Sequence, residues 1–472
     1  MVATISRLIQ RKFNHTVYLF QSISLSSAAQ RTTGKCRYSN ILNLDLLFFP
    51  IFRRFFTDDS LGSSSKRRLV SKQEYELEEL DNGVSLKFGL DRRRNHNEEK
   101  EVVQIVELIK RDGSELESKI NLMDVNISLD LVRKVFRRLN YDGVSGLHFF
   151  CWLSETHIDI KRSSVFCSMI IDNLGRVEDY DSMVVLFKDF SRKGICLSEN
   201  AFAFLADSLE DECKGIDNVR KIVELLNEAG GSAGRSGIFY LIKMLCILKA
   251  FDLAVFVMEE TARRTSYYNV LVWAKCRGSQ FQEARELFGE MRRYGCYPNS
   301  NTYNYLLGSL CKDGRIGEAC SLVEVMNELG YMPDAITFEI FIFHACRQDR
   351  LDFAMEFLNQ MISGGLEPRL TTHAAFIKGY FNSNRFQEAY KFVVDMAVRY
   401  KYSGNVNYSL LASLHHKKGK LLDARDILVL MIEKGLKPNF PVYVKVSKDL
   451  YKAGMSHLAA DLKSRFSKLN SG

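Results

Sequence analysis

The sequence predicts an all-α protein, a right-handed α-solenoid (superhelix) of stacked helix–turn–helix repeats of about 35 residues. Three columns predict it. Aligned on Ser300–Asp334, SNTYNYLLGSLCKDGRIGEACSLVEVMNELGYMPD, the chain carries alanine at Ala284, Ala319, Ala354, Ala389, Ala424 and Ala459, each 35 residues after the last. Methionine recurs with the same step at Met291, Met326, Met361, Met396 and Met431. A loop proline recurs at Pro298, Pro333, Pro368 and Pro438, with Ser403 in the vacant place. A fixed period of this length marks a solenoid, because a single unit cannot bury its apolar face alone.

Each unit reads as a helical hairpin. Tyr303, Leu306, Leu307 and Leu310 fall on one face of a first helix. Gly314 ends it after the basic Lys312. Ala319, Leu322, Val323 and Met326 form the apolar stripe of a second helix, which Gly330 and Pro333 close. The alanine column lets the paired helices approach closely. Leucine at Ala319 is expected to overpack that contact at about 1–3 kcal/mol.

In chain order, residues 1–56 read as a transit peptide, to be set apart from the fold. Arg7, Arg11, Lys12, Arg31, Lys35, Arg37, Arg53 and Arg54 meet a single acid, Asp45, and Ile5–Phe13 can form a basic amphipathic helix. Residues 57–100, with SSSKRR and DRRRNHNEEK, read as a charged, disordered linker. Residues 101–163 form a degenerate helical region, in which Leu129, Val132, Val135, Phe136 and Leu139 make one apolar face and GLHFFCW (Gly146–Trp152) a second helix. Residues 164–264 hold degenerate repeats, with AGGSAG (Ala229–Gly234) expected to be flexible. Five well-formed repeats fill 265–439, and 440–472 is a partial unit acting as a cap.

Composition excludes several classes. The formal charge of +8 lies mostly in the leading segment, so the remainder is close to neutral, and net charge by itself is no argument for nucleic acid. The apolar run 46–52 is too short to span a bilayer and contains Pro50. The eleven cysteines contain no CxxC. The column Cys276, Cys311, Cys346 lacks histidine partners at ligand spacing, which favours small buried residues in a reducing compartment over a metal or disulfide. Gly278, Gly314 and Gly419 read as turn residues, not as a phosphate-cradling loop. With no nucleophile–base constellation and no paired carboxylates beside a Cys/His cluster, neither catalysis nor a cofactor is expected.

TYNYLL, CKDGR, EAC and M…G…PD in Ser300–Asp334 resemble the pentatricopeptide repeat of plant organelle RNA-binding proteins, of the class without added domains. The tetratricopeptide repeat shares the small alanine. It favours glycine at the place that holds Val272, Leu307, Ile342 and Ile377 here, and a second alanine where the methionine column stands. The resemblance implies single-stranded RNA as partner, read one base per repeat by two or three side chains. RNA-processing or ribosomal proteins of the organelle are further candidate partners. It also makes Arg53-Arg54-Phe55-Phe56-Thr57 similar to a plant mitochondrial processing site, cut after Phe56, with a plastid address as the alternative.

The fifth and last residues of each unit are the implied base readers, and the second packs on the base plane. Asn269 with Asn299 resembles the pair for C or U, Asn304 with Asp334 the pair for U, and Ser409 with Asn439 the pair for A. Glu339 with Arg369, Ala374 with Gly404, Ser168 with Ser198, and Phe239 with Arg264 match no readable pair. The implied target is 5′-(C/U)-U-x-x-A-3′. Asparagine, aspartate and serine also cap helices, a role compatible with reading. Arg277, Lys312, Arg347, Lys417 and Lys452, with Asn382 interrupting, form a column at the end of the first helix. They suit either RNA phosphates or the negative end of the helix dipole. A solenoid that docks proteins, such as one attached to the mitochondrial ribosome, is the alternative function.

Overall fold

The computed structural model describes residues 91–111, 119–120, 127–209 and 212–471. The expected transit segment, the expected cleavage motif and SSSKRR lie outside them. Among the described residues there is no strand. The chain divides into two compact units, one ending at Arg138 and one carrying the chain from Leu139 onward.

The helix Asp91–Lys110 already includes DRRRNHNEEK, so helix starts before the expected boundary near residue 100. Arginine, glutamate and lysine are good helix formers, and neither glycine nor proline interrupts this stretch. Leu129–Asp142 and Leu147–Thr156 follow as the expected pair. Val132, Val135 and Leu139 are fully buried and Phe136 nearly so.

From Thr265 the hairpins are regular. Leading helices run Thr265–Arg277, Ser300–Lys312, Ala335–Arg347, Leu370–Asn382, Gly404–Lys417 and Phe440–Lys452. Second helices run Phe281–Arg293, Ile316–Glu328, Leu351–Ser363, Phe386–Arg399, Leu421–Glu433 and Ser456–Ser471. Each leading helix packs on its own second helix and on the next leading helix, so the leading helices form one continuous layer. All six alanines of the column are fully buried, as are Met291, Met326, Met361 and Met431, with Met396 close behind. Truncating Met326 to alanine would leave a cavity costing about 2–5 kcal/mol.

The turns bear out one expectation and correct another. Gly278, Gly314 and Gly419 lie in turns as expected, Gly278 with φ −83°. The left-handed residue is one place later, at Ser279 (+57°), Gly314 (+75°), Asp349 (+58°), Asn384 (+58°), Gly419 (+74°) and Gly454 (+77°). The backbone thus imposes φ > 0 at this turn in every repeat, whether or not glycine is there to relieve it. AGGSAG is no flexible joint: Glu212–Ala229 runs into it and Gly231–Ile247 starts from it. Its glycines permit contact. A Cβ on Gly234 would lie 2.6 Å from the Leu226 carbonyl oxygen, and one on Gly231 2.8 Å from Ser191 Cβ. Where proline is missing, the helix Phe386–Arg399 runs one residue long and a 3-10 turn, Lys401–Ser403, replaces the usual loop.

Candidate nucleic-acid interface

Each well-formed leading helix starts on or beside the first residue of its repeat. In most units the last residue of one repeat is therefore the N-cap of the next helix, and the third residue of the next repeat is its N3 position. Four backbone N–H groups at such an end need acceptors. Asn299 and Asp334 each supply one, in a capping box with the threonine three residues on.

These boxes reach back to the fifth residue of the preceding repeat. Asp334 Oδ1 accepts the Thr337 N–H at 2.9 Å and Asn304 Nδ2 at 3.0 Å. The Thr337 hydroxyl accepts the Asp334 N–H at 3.2 Å and donates to Asn304 Oδ1 at 2.8 Å. One repeat earlier the arrangement recurs. Thr302 accepts the Asn299 N–H at 3.0 Å and donates to Asn269 Oδ1 at 2.6 Å, while Asn269 Nδ2 lies 3.4 Å from Asn299 Oδ1. One repeat later an ion pair fills the same place. Arg369 Nε lies 3.0 and 2.8 Å from the two Glu339 oxygens, and Thr372 Oγ1 donates to Glu339 at 2.7 Å. Serine simplifies the pattern: Ser409 Oγ accepts the Asn439 N–H at 3.0 Å, as Ser168 Oγ accepts that of Ser198 at 2.8 Å. Ala374 and Gly404 contribute nothing, and Asn407 Nδ2 bonds His373 Nδ1 at 3.0 Å instead. Phe239 packs near Tyr240 and Tyr267, and Arg264 begins its helix without a side-chain cap.

The two implied reading positions differ in access. Asn304 is 2% exposed and Ser409 4%, whereas Asn269 is half-buried. Among last residues Asn299 and Asn439 are exposed and Asp334 half-buried. The fifth residue therefore sits behind the last, bonded to it, with the last side chain facing outward. All the bonds that Asp334 makes through its carboxylate converge on Oδ1. Second residues are open as well: Ser266 is exposed, Asn301, Ile336 and Thr371 are half-buried, and Val406 is 47% exposed.

The basic column Arg277, Lys312, Arg347, Lys417 and Lys452 is exposed throughout, at the last residue of each leading helix. It stands eleven residues beyond the second position. At 100° and 1.5 Å per residue that is the same helix face, within about 20°, roughly 16 Å along the axis. Arg277 lies 5.0 Å over the Trp273 ring and Arg347 5.8 Å over Phe343, while Lys452 pairs with Asp449 at 3.2 Å. The cysteine column is buried, and burial pushes the Cys276 thiol up to about 12. Sequence reasoning missed the third-position column Thr302, Thr337, Thr372, although the same 35-residue alignment contains it.

The PPR (pentatricopeptide) repeat family model matches residues 263–312 and 301–347, and a PPR repeat model matches 406–436. A mitochondrial pentatricopeptide repeat-containing protein of Arabidopsis thaliana is 24% identical over 253 residues, which is 50% of this chain and 40% of that relative's length. The maize pentatricopeptide repeat protein PPR10 aligns at 16% identity and TM-score 0.29, over 78% of this chain and 64% of that one. PPR10 in complex with an 18-nt psaJ RNA element aligns at 18% identity and TM-score 0.28, over 78% and 68%. With their 35-residue columns, their paired helices and the family models that match them, residues 263–347 and 406–436 carry pentatricopeptide repeats.

Proposed function

We propose that this protein binds single-stranded RNA in a sequence-dependent manner, one nucleotide per repeat, along the N-terminal ends of its leading helices. The observation that carries the reading is the fifth-to-last-residue bond, present in four of the five well-formed repeats beside an open second position. The chemistry matches the implied pairs. With Oδ1 held by its cap, Asp334 turns Oδ2 outward as an acceptor, which suits the N3–H of uracil and opposes the N3 lone pair of cytosine. The Asn299 amide offers a donor or an acceptor and so takes either pyrimidine. The base opposite Ser409 and Asn439 is adenine. The repeats with Glu339/Arg369 and Ala374/Gly404 span bases without reading them. The target is 5′-(C/U)-U-x-x-A-3′.

The exposed basic column follows the phosphates. Five contacts at about −0.7 each would give log affinity a slope of roughly −3.5 against log salt. Lys312→Gln is expected to flatten that slope by about 0.7; an unchanged slope assigns the lysine to its helix end alone. The protein acts by occupancy, stabilising a transcript or directing its processing, splicing or translation, without catalysis of its own. Mitochondria are the proposed compartment, on the leading segment and on the mitochondrial relative.

A second reading, a protein-docking solenoid, draws on exposed Tyr294, Tyr297, Leu329 and Met332, at matching places in two adjacent repeats. Filter binding of the full chain separates the two. RNA reading requires a CUxxA oligomer to bind more tightly than its scrambled counterpart; equal binding favours docking.

A further inference from the structure

We propose that Thr302 and Thr337 are positioning residues for base discrimination by the preceding repeat, so that each reading unit is completed by its neighbour. The proposal rests on the RNA reading above. The Asp334 carboxylate, which can only accept, takes the amino end of Asn304, and the threonine of the next repeat takes its carbonyl end; at Asn269/Asn299, where the partner amide can face either way, the threonine alone decides.

The logic follows from donors and acceptors. The Thr337 oxygen already accepts the Asp334 backbone N–H at 3.2 Å. Its own hydrogen has two acceptors in reach, Asn304 Oδ1 at 2.8 Å and Asp334 Oδ1 at 3.0 Å, and since Asp334 Oδ1 already accepts two N–H groups the nearer Asn304 carbonyl takes it. The carbonyl end of the amide is thereby pinned toward Thr337. The amino end is left to donate to Asp334 Oδ1 at 3.0 Å. That bond, with the Thr337 N–H at 2.9 Å, holds Oδ1 inward and turns Oδ2 toward the open side. At the preceding junction Thr302 bonds the Asn269 carbonyl at 2.6 Å and the Asn299 N–H at 3.0 Å in the same way. Thr302 and Thr337 are both fully buried, so neither touches a ligand itself. Their effect on a base passes through the pair they orient. Where the fifth residue is Ala374, with no amide to orient, the corresponding place holds Asn407, which bonds His373 instead.

Thr337→Val keeps the shape and removes the hydroxyl. The Asn304 carbonyl then lacks its partner and the amide is held at its amino end alone. An amide that tilts off that bond no longer holds Oδ1 inward, and Oδ2 leaves its outward place. The measurement is the affinity ratio for two oligomers that differ only in U or C opposite Ser300–Asp334. Thr337→Val is expected to lower the U-over-C ratio roughly tenfold, equivalent to about 1.4 kcal/mol, and Thr337→Ser to restore it. Thr302→Val is expected to act on the preceding base, opposite Thr265–Asn299, through Asn269. It also supplies a second variant should Thr337→Val fold poorly, read as an altered pyrimidine preference at that base. A merely structural role would weaken both oligomers equally and leave the ratio intact, which overturns the positioning role while the RNA reading stands. A wild-type chain with no U-over-C preference overturns the reading of that pair, and the positioning role with it.

Discussion

Removing Arg369 separates a structural from a decorative role for the ion pair that fills one reading position. Glu339 is 2% exposed at its side chain and Arg369 42%. Arg369→Ala leaves a buried carboxylate with the Thr372 hydroxyl at 2.7 Å and the residue-369 backbone N–H at 3.3 Å, but without its counter-charge. Breaking a fully buried pair costs about 3–5 kcal/mol. Here the guanidinium is partly solvated and water can enter its place, which discounts the loss to about 1–2 kcal/mol. Solenoids do not unfold as one unit, so the assay is amide hydrogen exchange in the leading helix Leu370–Asn382. Protection is expected to fall by roughly a factor of ten in Arg369→Ala, and less in Glu339→Gln, which removes the charge but keeps hydrogen-bonding oxygen and nitrogen. Equal protection in wild type and Arg369→Ala, or a larger loss in Glu339→Gln, would refute the reasoning.

Further outcomes follow from the turns and from buried titratable groups. Lys249 is exposed and holds φ +63°. Lys249→Gly is expected to raise local stability by about 0.5–1 kcal/mol, read as slower exchange around 245–254; faster exchange would contradict it. Burial lowers His344 and His373 to about 4. The unfolded chain binds their protons first, near pH 6.5. The stability they confer is therefore complete above pH 6.5 and is lost as pH falls toward 4. Burial raises Asp172 to about 6 despite Arg176 beside it. The folded state there holds a proton that the unfolded state releases, so its helix Ser164–Arg176 gains stability as pH falls from 6 toward 4. Exchange measured across pH 7 to 4 should show helices Ala335–Arg347 and Leu370–Asn382 loosening while Ser164–Arg176 tightens; parallel responses would contradict both assignments.

Much of the fold was legible because the repeat writes each packing demand several times. The alanine and methionine columns mark buried contacts between paired helices, and every member is buried. Gly278 was legible as a turn residue, but which place in the turn is left-handed was not, because glycine is only one solution to φ > 0. The column that includes Ser279, Asp349 and Asn384 shows the demand only when all repeats are compared. AGGSAG looked flexible because sequence cannot distinguish a glycine that frees the backbone from one that admits a neighbour, as Gly234 admits the Leu226 carbonyl. At the interface the fifth and last residues were legible as columns. Their nesting was not, since burial of Asn304 behind Asp334 depends on how one helix start sits against the next leading helix. For the same reason Thr302 and Thr337 went unnoticed: their partners lie across the repeat boundary.

The most direct test of reading by repeated side-chain pairs is Asp334→Asn, measured as U-over-C affinity at the second base of the target. The wild type is expected to prefer U by about tenfold or more, the scale of a hydrogen bond to a charged group. The asparagine variant should accept U and C about equally, with the preferences at the first and fifth bases unchanged. A variant that keeps the full U preference, or that loses all three preferences together, would contradict the account.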